Sequence, residues 1–199
     1  MQIKKDEIHQ RILEVSKRLF LINGYEKTSL RMVADKCYIS KSNIYRYFKS
    51  KEEIYETLVG AARLSVIDAI SHFESPEYAG NNTIDKIEEV STVLAGVMAE
   101  YRGGLLIMLK ADESKDKKMI TDMMTKFFVE ACPIEDKEFK IQVVKILIMG
   151  FTDILIKYSD VAEIEYRLNQ LFAYHYLGLN GMKERLGLCF SKKTGSAMA

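Results

Sequence analysis

TSLRMVADKCYISKSNIYRYFKSK, residues Thr28–Lys51, is the stretch on which the reading of this chain turns. Leu30, Val33, Ala34 and Cys37 recur at helical spacing behind Thr28, a residue suited to capping a helix N-terminus. Tyr38-Ile39 interrupt the pattern, and Ser40 caps a second helix expected to run to about Tyr47. That helix turns Ile44, with Phe48 after it, toward a core, while its other side chains are small polar, aromatic and basic. Such a surface offers little to a protein interior. It offers much to base edges in a major groove, where a helix-turn-helix places its second helix. The stretch therefore predicts sequence-specific DNA recognition.

The flanks extend the helical pattern in both directions. Upstream, Ile8, Ile12, Val15, Leu19 and Phe20 share one helical face, and Asn23-Gly24 supplies a left-handed stop. Downstream, Ser50 followed three residues later by Glu53 has the capping-box spacing, which opens a fourth helix without a breaker to about Phe73. At 1.5 Å per residue that helix is roughly 30 Å long, enough to link two domains rigidly. Ser75–Asn82 reads as a loop, and Arg102-Gly103-Gly104 as a break. Around them, helices are expected at about Thr83–Tyr101, Leu105–Ala111, Lys117–Ala131 and Glu135–Tyr158. A last one runs from Asp160 to about Leu177, with a further stretch at Asn180–Leu186. With only 2 prolines and 11 glycines in 199 residues, the fold class is all-α, with about nine helices.

Composition narrows the function. Hydrophobic residues make up 48% and charged residues 29%, the mix of a globular protein. The net charge of +1 is unevenly spread, because residues 1–53 hold 12 Lys and Arg against 7 Asp and Glu, while residues 54–199 hold 17 against 21. A basic front on an acidic body suits a phosphate-facing module joined to something with another task. Cys37, Cys132 and Cys189 form neither a disulfide framework nor a zinc spacing, which points to a reducing cytoplasm. The N-terminus MQIKKDEIHQ lacks the apolar core of a signal peptide, and Ile146–Ile156 is too short for the about 20 apolar residues that span a bilayer. His9, His72 and His175 sit in distant segments, and no nucleophile elbow, P-loop or metal motif occurs. An enzyme, a cofactor, a metal or a membrane partner is not expected.

Phe20, Gly24-Tyr25, Thr28-Ser29, Val33-Ala34, Ile39-Ser40-Lys41-Ser42-Asn43-Ile44-Tyr45 and Phe48-Lys49-Ser50-Lys51-Glu52 together resemble the N-terminal motif of the TetR family of bacterial transcriptional regulators. The resemblance covers roughly residues 12–54. It implies a three-helix helix-turn-helix domain over residues 1–53 and a helical effector-binding and dimerisation bundle over 54–190; the small, polar residues 191–199 are read as a disordered tail. It also implies DNA-contact roles at Thr28, Ser40, Ser42, Tyr45, Tyr47 and Lys51. Chemistry adds Ser29, whose hydroxyl sits at a helix start, and Lys41, Asn43 and Arg46, of which Arg46 can pair with guanine and Asn43 with adenine. Tyr25, Tyr38 and Phe48 are read as core or turn packing. Two departures stand out: Tyr38 replaces the turn's usual glycine, where a left-handed backbone would be strained, and Ser42 stands where glycine is usual.

In the C-terminal body, Met98, Tyr101, Leu105, Met108, Met123, Phe127 and Met149 suggest an adaptable apolar ligand pocket, with Asp153 as a candidate buried charge. The helix around Ile141–Tyr158 is apolar nearly all round, so one face is expected against a second copy. Ile164, Leu168, Leu171, Phe172 and His175 form the matching stripe for a two-fold, four-helix interface. The resulting expectation is a cytoplasmic homodimeric repressor on a near-palindromic double-stranded DNA operator, released by a small-molecule effector. A helical small-molecule-binding protein and an activator of the same fold are the alternatives.

Overall fold

The computed structural model describes residues 2–73, 83–110, 115–131 and 136–186; the expected loop Ser75–Asn82 and the tail 191–199 lie outside them. The described residues form nine helices and no strand: α1 (Gln2–Asn23), α2 (Leu30–Cys37), α3 (Lys41–Ile44), α4 (Lys51–Phe73), α5 (Thr83–Glu100), α6 (Arg102–Lys110), α7 (Lys115–Ala131), α8 (Lys137–Lys157) and α9 (Val161–Leu186). They divide into two compact units. One takes residues 1–68 and 97–118, the other residues 69–96 and the chain from 119 onward.

In the first unit, α1 stops where the sequence says it should. Gly24 adopts φ 82° and its N–H closes on the carbonyl of Phe20 at 3.0 Å. Ser29 then caps α2 by accepting from the N–H of Met32. Ile12 and Phe20 from α1, Val33, Ala34 and Cys37 from α2, and Ile44, Phe48 and Ile54 after them are all at most 3% exposed. This is the small core that holds the helix-turn-helix rigid. The ring of Phe48 stacks on His9 of α1, with centroids 4.6 Å apart.

Two expectations are corrected here. The third helix does not reach Tyr47: α3 ends at Ile44, and Tyr45–Tyr47 continue as turns closed by Arg46 N–H to Asn43 and Tyr47 N–H to Ile44. Nor do Gly103 and Gly104 break a helix. The chain turns at Tyr101, and both glycines lie in the first turn of α6. Gly104 is there for contact: a Cβ would stand 2.9 Å from both the carbonyl oxygen of Leu58 and the Cβ of Ala62, so α6 rests directly on α4.

In the second unit, Asp136 caps α8 by accepting from the N–H groups of Glu138 and Phe139, and Asp160 does the same for α9 with the N–H of Glu163. Val144, Leu147, Ile148, Phe151 and Leu155 of α8 pack with Ile164, Leu168 and Phe172 of α9, and the Phe151 and Phe172 rings meet edge-on at 5.6 Å. α9 runs unbroken to Leu186, without the interruption expected near Asn180.

Candidate nucleic-acid interface

The helix-turn-helix sorts the motif residues into two groups. Ile44 and Phe48 are buried, while Ser40, Lys41, Ser42, Tyr45 and Arg46 are exposed and Asn43 and Tyr47 half-buried. The start of α3 and the turns that follow it thus present hydroxyls, an amide, phenols, an ammonium and a guanidinium on one stretch. The hydroxyl of Ser40 accepts from the Asn43 N–H at 3.2 Å and lies 2.9 Å from that of Ser42, which fixes both at the helix start. The ammonium of Lys41 sits 6.0 Å from the ring centre of Tyr45, itself half exposed. Hydroxyl, amide and guanidinium groups arranged in this way can donate to base edges and phosphates alike.

Thr28 departs from its expected role. It is 1% exposed, and its hydroxyl donates to the carbonyl of Gly24 at 2.8 Å, with that of Leu19 at 3.3 Å. Its side chain ties the end of α1 to α2 rather than facing a phosphate. Ser29, beside it, is exposed, and its oxygen serves the Met32 N–H. Tyr38 departs in the opposite sense, for it is 92% exposed and packs on nothing in the core.

Lys51 is held on the flank of the motif. Its ammonium donates to the Tyr25 carbonyl at 2.9 Å and lies 4.1 Å from the centre of the Tyr25 ring. An ammonium has three donors, so protons remain for a phosphate. The Tyr25 hydroxyl donates to Glu52 at 3.0 Å; burial, then the Glu52 carboxylate, push its phenol well above the ordinary range. The Glu52 carboxyl is held low by its own backbone N–H, Ser50 and Tyr25. The capping box is altered as well. The Ser50 hydroxyl accepts from the Glu53 N–H, but the Glu53 carboxylate takes the N–H of Lys49 instead of that of Ser50.

Behind this surface lies a polar cluster that sequence reading missed. Asp116, in the first turn of α7, accepts from Arg63 Nε at 2.5 Å, from a second Arg63 nitrogen at 3.0 Å and from the Tyr55 hydroxyl at 2.6 Å. Arg63 also pairs with Glu56 at 2.6 Å. Burial pushes the Asp116 carboxyl up, but the hydrogen bonds from Arg63 and Tyr55 and the Arg63 charge outweigh it and hold the group below the usual carboxylate range. The Tyr55 ring lies 4.7 Å from that of Tyr25. A continuous line of contacts therefore runs from α7 through α4 to the backbone that anchors Lys51. No local pattern in the sequence announces it, since its partners are 53 and 61 residues apart.

The expected pocket residues fall on both units. Met98, Tyr101, Leu105 and Met108 belong to the first, where Met98, Leu105 and Met108 are buried. Met123, Met149 and Asp153 belong to the second. There Met149 is 70% exposed, and Asp153 is no buried charge: it is exposed and pairs with Lys157 at 2.8 Å. The side chain of Phe127 lies outside the described residues. The expected dimer stripe is largely covered. Ile164, Leu168, Phe172 and His175 are at most 9% exposed and Leu171 half-buried, all within their own unit. The apolar groups left in solvent are others: Ile146, Met149 and Ile156 on α8, and Tyr166, Tyr174 and Leu177 on α9. No single described helix is long and apolar enough to cross a membrane.

Comparison with known proteins meets this geometry. Residues 12–58 match the family described as bacterial regulatory proteins, tetR family. An uncharacterized HTH-type transcriptional regulator of Bacillus subtilis (strain 168), YfiR, is 25% identical over 133 residues; the match spans 63% of this chain and 62% of that protein. A TetR-like transcriptional regulator from Rhodococcus sp. RHA1 shares the fold with a TM-score of 0.56, at 17% identity, over 87% of this chain and 96% of its own. A TetR-family member from Streptomyces coelicolor A3 does so with a TM-score of 0.57, at 15% identity, over 84% and 90%. The matched motif lies on the exposed turn of α3 and its supports, so residues 12–58 are similar to the N-terminal helix-turn-helix of the tetR family and the chain as a whole shares the fold of its solved members.

Proposed function

We propose that this chain is a transcriptional regulator of the TetR family, a homodimeric repressor that reads a near-palindromic operator and leaves it when a small molecule binds the C-terminal body. The observation that carries the reading is the split at α3: Ile44 and Phe48 are sealed while Ser40, Lys41, Ser42, Tyr45 and Arg46 stand free. Residues 1–53 supply the reader, with Ser29, Asn43, Tyr47 and Lys51 supporting the α3 contacts. Residues 54–190 supply effector binding and pairing, and the cytoplasm is the compartment in which such a protein meets DNA.

Pairing is supported by two stripes. Ile146, Met149, Asp153 and Ile156 recur along one face of α8, and Tyr166, Gln170, Tyr174 and Leu177 along one face of α9, all exposed. A second copy covering both would build a four-helix interface of two-fold symmetry. Two α3 helices would then stand about one DNA turn or a multiple of it apart, which demands two similar half-sites. Effector release requires different affinities for the two arrangements, about 5.5 kcal/mol for a shift from 1:99 to 99:1. Selection of duplexes from randomised DNA, followed by gel shifts on the enriched and scrambled sequences, tests the reading. Enrichment of two-fold-related half-sites is the expected result, and equal affinity for enriched and scrambled duplexes refutes it.

A further inference from the structure

We propose that Tyr38 is a further DNA-contact residue, whose phenol hydroxyl donates to a backbone phosphate at the edge of the groove that receives α3. The inference begins with backbone geometry. Tyr38 adopts φ 57° and ψ 40°, and it is the one non-glycine residue with positive φ among those described. That conformation is uphill for any residue bearing a Cβ, and glycine takes it freely. The fold needs the conformation, because it lets the Tyr38 N–H reach the carbonyls of Ala34 and Asp35 and the Ile39 N–H reach that of Ala34, which closes α2.

The fold does not need the side chain. At 92% exposure, the phenol gains no burial to offset the backbone strain. An aromatic ring kept in solvent on a strained backbone is explained by what it meets outside the chain. Its surroundings say what that is. Tyr38 stands between the exposed Lys36, in the last turn of α2, and the exposed Ser40, Lys41 and Ser42 at the start of α3. The neighbouring groups are therefore mostly cations and hydroxyls, with the exposed carboxylate of Asp35 beside them. The recognition helix is only 4 residues long, so residues beside it must extend its reach. A tyrosine placed ahead of the helix that enters the groove lies over the sugar-phosphate rim, and tyrosine hydroxyls are ordinary phosphate donors.

The inference rests on the DNA-binding reading, and the experiment separates the two. The full-length protein and its Tyr38→Gly, Tyr38→Phe and Arg46→Ala variants are titrated with a labelled duplex that the parent enriched from randomised DNA, and with an unenriched duplex. Their thermal unfolding is measured in parallel. Tyr38→Gly should unfold at the parent temperature or above it, yet bind about tenfold more weakly, as expected for loss of a hydrogen bond to a charged group. Tyr38→Phe should lose the same factor, and both losses should be equal on the two duplexes, because a phosphate carries no sequence.

Affinity within twofold of the parent for Tyr38→Gly overturns the proposal, as does full affinity for Tyr38→Phe. A loss confined to the enriched duplex overturns it in favour of a base contact, and a lowered unfolding temperature for Tyr38→Gly overturns the strain argument. If Arg46→Ala weakens binding while the Tyr38 variants do not, this inference alone fails. If the parent enriches no duplex, the DNA-binding reading fails with it.

Discussion

Asp116 takes three hydrogen bonds on two oxygens, and the substitution Asp116→Asn measures what they are worth. Breaking a buried pair typically costs about 3–5 kcal/mol because one charge is left alone. Here Glu56 keeps Arg63 paired, so the expected loss at neutral pH is smaller, about 2 kcal/mol in denaturant titrations. Because the folded-state carboxyl titrates below its ordinary value, its contribution is complete above about pH 4 and fades as pH falls through the folded value. Parent and Asp116→Asn should accordingly converge in stability only in strong acid. Lys51 tests the other end of the same line. Lys51→Ala should weaken binding to all DNA sequences alike and flatten the dependence of log affinity on log salt by about 1, as for one phosphate contact. The sequence displayed Lys51 and hid Asp116 for a plain reason. A helix-start lysine is visible from its neighbours, whereas Asp116 acquires meaning only when α4 and α7 meet. Thr28 shows a related ambiguity, since a hydroxyl at a helix start can face out to a ligand or inward to tie the preceding helix, and only packing decides.

Helix positions were largely legible because the apolar period of 3.6 and the caps at Ser40 and Asp160 are local facts, although α2 is capped by Ser29 and not by the expected Thr28. One error came where α3 was drawn on to Tyr47, another where glycine was read as punctuation: Gly103 and Gly104 lie inside α6. A glycine in a helix marks either a stop or a close approach, and spacing alone does not distinguish them. Two substitutions show how unequal close approaches are. Gly104→Ala would drive its new methyl against the Leu58 backbone and the Ala62 Cβ, groups that cannot swing away. It should cost about 1–3 kcal/mol, the usual range for overpacking. Gly150→Ala meets the end of the Leu171 side chain, which can rotate, and should cost measurably less. Equal losses of unfolding temperature for the two would contradict this account.

Across the full chain, a basic front and an acidic body are visible in composition, while the surfaces of the body are not. Apolar residues on α8 and α9 outnumber what one interior can absorb. The stripe expected to face a second copy, Ile164, Leu168 and Phe172, is buried against α8 of its own unit, which leaves the exposed apolar residues of α8 and α9 as the proposed pairing surface. Met149→Glu tests the stripe that remains. It places a carboxylate in the exposed apolar face without touching the core, and should raise the dimer dissociation constant by about tenfold or more in sedimentation, with helicity by circular dichroism unchanged. A variant that stays as dimeric as the parent would remove α8 from the interface. The first unit also carries its own gauge. Cys37 is fully covered, its sulfur directed at the Arg11 carbonyl, and burial pushes its thiol up despite the nearby Arg11 charge. A reagent that needs thiolate can reach it only after α2 lifts from α1, so the alkylation rate of this sulfur clocks the spontaneous opening of the helix-turn-helix itself.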